Sequence, residues 1–254
     1  SDRSVEKAGD YMKKYLPPLI LFFLLLIGWQ ALALGINAAY ILPTPIQVIQ
    51  KLWELREPLF MVHLPATMSV TFIGLGISIV LGLALAIAMD MHEGVRRTLY
   101  PLVIASQTTA IAPLFVLWFG YSIWSKVLVT VLMTFFPITI TVYDGFQSTK
   151  REMEELMLSF NASKMDIFMK LKLPNALPYF FSAIKMAIPI SIIGAAIGEW
   201  LGAQSGLGYF SKRMLTQLDG AGVFAPIVLL SAVAMIVAIV GIIERIAIPW
   251  RKEL

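Results

Sequence analysis

The chain contains no cysteine. That excludes a disulfide framework and any thiolate chemistry, and it leaves the redox compartment open. Charge is also scarce: 14% of the 254 residues are charged against 58% hydrophobic, well outside the composition of a soluble globular domain. There are two histidines, His63 and His92, both at the edges of apolar runs. No Ser/His/Asp arrangement, intramembrane carboxylate pair or metal-ligand spacing is present, so an intramembrane protease or lipid-modifying enzyme has little to work with. A Gly-rich phosphate loop is missing too, which excludes nucleotide hydrolysis by this chain. Neither an internal repeat nor a low-complexity segment is visible.

What the chain has in abundance is long apolar runs. Residues 17–34, 66–89, 99–121, 126–143, 177–201 and 224–244 each approach the roughly 20 residues that span a bilayer as a helix. The expected fold is an all-α integral membrane protein of six transmembrane helices, one transmembrane domain over residues 1–254. Residues 1–15 are polar and basic, and no signal peptide with a cleavage site is apparent; the first residue is Ser rather than Met, consistent with a trimmed start. Residues 36–64 form a Pro-punctuated, amphipathic segment too polar to span. Six spans place both termini on one side. Fourteen Lys/Arg residues fall on that side, namely Arg3, Lys7, Lys13, Lys14, Arg96, Arg97, five between 150 and 172, and Arg245, Arg251 and Lys252 among them. The opposite loops hold five, Lys51, Arg56, Lys126, Lys212 and Arg213, so the positive-inside rule makes both termini cytoplasmic.

Within the spans, small residues recur every fourth position: Gly74, Ser78, Gly82 and Ala86 in the second, Gly194, Gly198 and Gly202 in the fifth. Such seams let helix backbones approach closely. Pro113, Pro137 and Pro189 fall inside spans and suggest kinks or a hinge. Polar groups inside a span are costly and usually face a cavity or a neighbour. The sharpest cluster is Ser106, Gln107, Thr108 and Thr109, about seven residues into the third span and so roughly 10 Å deep. These four are the candidate substrate path, with Gln107 and Thr109 foremost and hydrogen bonding between helices as the competing role. Glu199, near the outer end of the fifth span, is a further candidate contact, although a solvated or paired carboxylate is the plainer reading. Lys185 lies close enough to the cytoplasmic end to snorkel.

The longest charged stretch, Lys150 to Pro178, interrupts this apolar pattern. Thr149 and Glu152 have capping-box spacing, so a helix is expected to start near Lys150. Met153, Leu156, Met157 and Phe160 then fall on one helical face. Asn161 tolerates φ > 0 and can end the helix in the left-handed region. Ser163 and Asp166 have the spacing of a second cap, and Ile167, Phe168 and Leu171 form another apolar face until Pro174 and Pro178, which are expected to stop it. The expected product is a cytoplasmic elbow over residues 150–174, two short helices and a turn, basic, amphipathic and shaped to touch a partner.

This stretch resembles the signature of the membrane-spanning permease subunits of binding-protein-dependent ABC importers: Glu-Ala-Ala, three residues, Gly, nine residues, Ile-x-Leu-Pro. Glu155-Leu156-Met157 occupies the first block, Asn161 the glycine position, and Leu171-Lys172-Leu173-Pro174 the end, with the nine-residue gap intact. Both alanines and the glycine are replaced. Asn keeps the left-handed option, whereas Leu156 and Met157 change the shape offered to a partner. The resemblance extends through Ala112–Lys126 and Gly198–Phe210, which look like stretches of the branch serving nitrate, sulfonate, taurine, thiamine-precursor and riboflavin import. The Glu-Trp-Leu-Gly-Ala-Gln wording at 199–204 is most similar to the thiamine-precursor members.

The resemblance implies a type I importer fold in the bacterial cytoplasmic membrane and a non-catalytic transport subunit. Its implied partners are a second copy of the permease, cytoplasmic ATP-binding subunits, an external substrate-binding protein and membrane lipid, but no nucleic acid. ATP and Mg would sit on the partner ATPase, with no cofactor in this chain. Glu155, Met153, Leu156, Met157, Phe160, Asn161, Leu173 and Pro174 would form the ATPase-coupling surface. The implied cargo is a small metabolite, first of all a thiamine-precursor pyrimidine or related vitamin, with nitrate, sulfonate or taurine as the alternative. A secondary transporter or channel is the rival of another class. It would need no docking elbow, and it would typically carry a mid-span coupling carboxylate, which is absent here.

Overall fold

A computed structural model describes residues 2–106 and 111–237, with side chains from 16 to 103 and from 111 to 236. Every element among them is a helix. In chain order they are α1 (Asp2–Ile36), α2 (Pro45–Glu54), α3 (Arg56–Pro58), α4 (Leu64–Met91), α5 (Glu93–Ser106), α6 (Ala112–Phe119), α7 (Ile123–Gln147), α8 (Arg151–Ser159), α9 (Lys164–Ile167), α10 (Leu173–Gly202), α11 (Leu207–Thr216) and α12 (Gly220–Val237). Four continuous helical stretches are long and apolar enough to cross a membrane: Leu16–Ile36, Arg56–Met91, Ile123–Gln147 and Lys164–Gly202. The third expected span is described as α5 up to Ser106 and as α6 from Ala112, and the sixth as α12 up to Val237. Along α1 the side chains of Leu19, Phe22, Leu25 and Ile27 stay exposed, a surface that is stable in hydrocarbon rather than water.

The middle of the bundle is α7, which packs along both α4 and α10. Close approach to α4 follows from the small-residue seam. A methyl group at Gly74 would stand 2.6 Å from Thr130 Cγ2, so only glycine admits α7 there. One turn on, Ser78 Oγ lies 2.6 Å from Thr134 Oγ1 and donates to the Gly74 carbonyl at 2.8 Å, which satisfies a buried hydroxyl without water. At the elbow end the core is built from Met89, Ile138, Val142, Phe146, Phe168 and Ala183; at the far end from Leu59, Leu207, Phe210, Met214 and Leu229. The segment between the first two expected spans holds α2, which opens on a capping box: Gln47 N–H donates to Thr44 Oγ1, and Thr44 N–H to Gln47 Oε1.

Two expectations about helix ends need correction. Pro174 and Pro178 do not stop a helix; Lys164–Gly202 is continuous, so the second half of the elbow is fused to the fifth span. A π-helical turn at Phe168–Lys172 makes this possible. The Leu173 N–H reaches back five residues to the Phe168 carbonyl, and the widened turn opens room for the ring of Pro174, which would otherwise clash with the carbonyl four residues earlier. Likewise the Thr149–Glu152 box does not form. Lys150 is the N-cap and has no side-chain bond, while the Thr149 hydroxyl receives the Asn175 amide at 3.3 Å.

Two of the long helices share a local pattern. A second π-helical turn, Leu59–His63, precedes α4, and each π turn is followed at once by Leu-Pro, Leu64-Pro65 and Leu173-Pro174. Counting equal steps from the two leucines reaches Gly74, Ser78, Gly82 and Ala86 in α4 and Ala183, Ala187, Ser191 and Ala195 in α10, all buried. The next matched position is an acid in each, Asp90 and Glu199. The two helices run in opposite directions, so these acids lie at opposite ends of the bundle.

Candidate functional site

At the elbow, α8 ends in two reciprocal backbone bonds. Ala162 N–H donates to the Met157 carbonyl at 3.1 Å and Asn161 N–H to the Leu158 carbonyl at 2.9 Å, with Asn161 at φ +59°. This is the Schellman termination that needs a left-handed residue, and it stands where the importer signature has glycine. The chain re-enters a helix through the expected Ser163–Asp166 cap: Asp166 N–H donates to Ser163 Oγ at 3.1 Å and Ser163 N–H to Asp166 Oδ2 at 3.3 Å. Lys170 Nζ lies 2.7 Å from Asp166 Oδ1 and fixes the acid further.

The elbow presents two faces of different kinds. Inward, Ile167 and Phe168 are buried, with the Phe168 ring 5.3 Å from that of Phe146. Outward, Met153, Leu156 and Phe160 are exposed, Phe160 at 79%, and Met157 is half-buried beside them. Met165 and Met169, beyond the turn, are exposed as well, whereas Leu158 lies on the other side of α8 with Glu154 and lines a hollow there. Glu155 is exposed and paired with Arg151 Nε at 2.8 Å on its own helix. Leu173 and Pro174 lie in the first turn of α10 directly after the π turn.

Of the expected substrate path, Gln107, Thr108 and Thr109 lie outside the described residues, as does the side chain of Ser106, the last residue of α5. Glu199 is 1% exposed, and its Oε2 accepts the Gly208 N–H at 2.8 Å. Two neighbours complete that arrangement: Gly206 N–H donates to His63 Nδ1 at 3.1 Å and Leu207 N–H to Thr67 Oγ1 at 2.8 Å. Three successive amides opening α11 are thus capped in trans by side chains of the far π turn, α4 and α10. Gly206 sits at φ +117°, and a methyl group there would overlap the Glu199 carboxylate, so the turn closes over the acid only with glycine.

Sequence reasoning missed a second polar cluster, at the elbow end. Asp90, at the end of α4, receives Lys172 Nζ at 3.0 Å and Gln147 Nε2 at 2.9 Å. Lys172 also lies 3.5 Å from Glu154 of α8. Asp90 belongs to no motif, and 82 positions separate it from Lys172, so no local signal could have paired them. Among the described residues no group of His, Cys, Asp and Glu could hold a metal ion.

The described residues form a helical bundle with an exposed apolar elbow and no catalytic constellation among them, and comparison with known proteins agrees with this arrangement. Residues 78–248 match the family model described as "Binding-protein-dependent transport system inner membrane component". The formylaminopyrimidine transport permease protein ThiX of Halalkalibacterium halodurans is 51% identical over 94% of this chain and 97% of that protein. The riboflavin transport system permease protein RibX of Chloroflexus aurantiacus is 30% identical over 92% and 90% respectively, and the taurine permease TauC of Escherichia coli 27% identical over 91% and 87%. Among solved structures, an amino acid ABC transporter crystallised with histidines superposes at a TM-score of 0.60 with 16% identity, covering 75% of this chain and 94% of that one, a likeness of fold. The chain therefore belongs to the inner-membrane permease family of binding-protein-dependent ABC importers, as a multi-pass, non-catalytic transport subunit.

Proposed function

We propose that this permease moves a thiamine-precursor pyrimidine of the formylaminopyrimidine type. The observation that carries the reading is the 51% identity to a formylaminopyrimidine permease along nearly the whole of both chains. Identity to the taurine and nitrate permeases is about half as high, at 26–27%. In this reading residues 1–254 act as one permease domain, two copies assemble in the lipid bilayer with both termini cytoplasmic, and the basic elbow faces the cytoplasm. Partner ATP-binding subunits carry ATP and Mg and dock on Met153, Leu156, Met157 and Phe160. Glu155, Asn161, Leu173 and Pro174 hold the shape of that surface.

The substrate path runs past Ser106, Gln107, Thr108 and Thr109. A polar metabolite cannot shed its water into bare hydrocarbon, and this is the only run of consecutive hydroxyl and amide side chains inside any span. Glu199 stands toward the outer end of the path, where its geometry favours a capping role over ligand contact. The test is uptake of labelled formylaminopyrimidine in cells relying on this permease. Competition by unlabelled formylaminopyrimidine but not by taurine or nitrate is expected, and competition by taurine or nitrate alone would move the assignment to that branch. Gln107→Leu and Thr109→Val should each lose uptake while complexes still assemble; wild-type uptake in both would leave the cluster as a helix–helix tie.

A further inference from the structure

The cluster at the elbow end has no part in the docking surface or the substrate path. Asp90 is 4% exposed at its side chain and Lys172 15%. Burying an ion pair this deeply is a poor route to stability, because desolvation offsets most of the attraction. Its placement is more informative. Lys172 Nζ touches both Asp90 oxygens, at 3.0 and 3.3 Å, and stands 3.5 Å from Glu154. One ammonium group therefore joins an acid on the membrane bundle to an acid on the elbow, while Gln147 adds the end of α7.

Three further observations give this junction a direction. No residue of α8 is buried, and beside its chain connections to α7 and α9 the Glu154–Lys172 contact joins its side chains to the bundle. Beneath it lies a hollow of about 250 Å³ lined by Asp90, Met91, Glu154, Leu158, Ile167 and Phe168, which leaves α8 room to shift. Finally, Arg56–Met91 is one continuous helical stretch. Its elbow end carries Asp90, and its far end carries His63 and Thr67, which cap α11.

We propose that Asp90 and Lys172 are positioning residues for transport: Lys172 carries movement of α8 into α4, and α4 delivers it to the opposite face of the bundle. Tension on α8 draws on Lys172 through Glu154, and Asp90 obliges α4 to follow. The inference rests on the ATP-driven reading of the permease but not on which substrate it moves.

The experiment uses the permease purified with its ATP-binding subunits, reconstituted in proteoliposomes with its binding protein, and reads substrate moved per ATP hydrolysed. The probe is formylaminopyrimidine. Asp90→Asn and Lys172→Met remove charge at nearly constant size. Each, and the double variant, should lower the ratio by about tenfold and by the same factor, with ATP hydrolysis itself within roughly twofold of wild type. Lys172→Arg, which keeps the charge, should recover most of the ratio. The proposal is overturned if either single variant keeps the wild-type ratio, if the two losses multiply in the double variant, or if the subunits no longer co-purify. Failure of the wild-type complex to move formylaminopyrimidine would instead fault the substrate assignment, and any substrate it does move then serves the same comparison.

Discussion

Asn161 shows how far one residue can be read from the chain alone. Its side chain is short and polar, its position follows an apolar helical face, and its φ of +59° is the left-handed conformation those features suggested. Glycine should do the work as well, whereas a β-branched side chain is strained there by roughly 1–2 kcal/mol. Asn161→Gly is therefore expected to keep uptake and Asn161→Val to reduce it several-fold, with membrane insertion unchanged; equal activity of the two would show that the turn does not need this conformation. Glu199 was legible only as a polar residue near a span end. Its capped amide is nine positions on, and the other caps, His63 and Thr67, are 143 and 140 positions from the amides they hold. Glu199→Gln retains an acceptor for the Gly208 N–H and should preserve both folding and uptake. Glu199→Leu leaves that amide buried and unpaired, which costs about 1–3 kcal/mol and should lower the thermal midpoint of the purified protein. Loss of uptake in Glu199→Gln with an unchanged midpoint would return the carboxylate to the substrate path.

Among the elements, those set by local pattern were the readable ones. The apolar runs, the Ser163–Asp166 cap and the exposed Met153–Leu156–Phe160 face all follow from spacing within a few residues. Thr149 failed as a cap because its hydroxyl binds Asn175, 26 positions away, and a local rule cannot weigh a tertiary competitor. Pro174 failed as a helix stop because a π turn admits its ring, and the same device before Pro65 escaped notice because the two helices match in register rather than in residue identity. The elbow's exposed face leads to a direct prediction. Methionine-rich apolar faces adapt to a partner groove, and a carboxylate placed in such an interface must be desolvated. Leu156→Asp combined with Met157→Asp should abolish both uptake and association with the ATP-binding subunit, while the permease still inserts in the membrane. Association that survives this double change in detergent would show that the subunit docks elsewhere.

For the whole molecule, the helices describe a lever between two ends. The elbow is fused to α10 through a π turn and bound to α4 through Lys172 and Asp90, and both helices pack along α7. At the far end the same two helices, with the π turn that leads into α4, hold α11 by its first amides. A pull on the elbow thus has a continuous helical route to the opposite face, as an ATP-driven importer requires and a gradient-driven carrier does not. The most direct measurement is uptake of formylaminopyrimidine into proteoliposomes containing this permease, its ATP-binding subunits and its binding protein, with and without hydrolysable ATP. Accumulation that requires both ATP hydrolysis and the binding protein is the predicted result. Accumulation driven by an ion gradient with no ATP present would contradict the account.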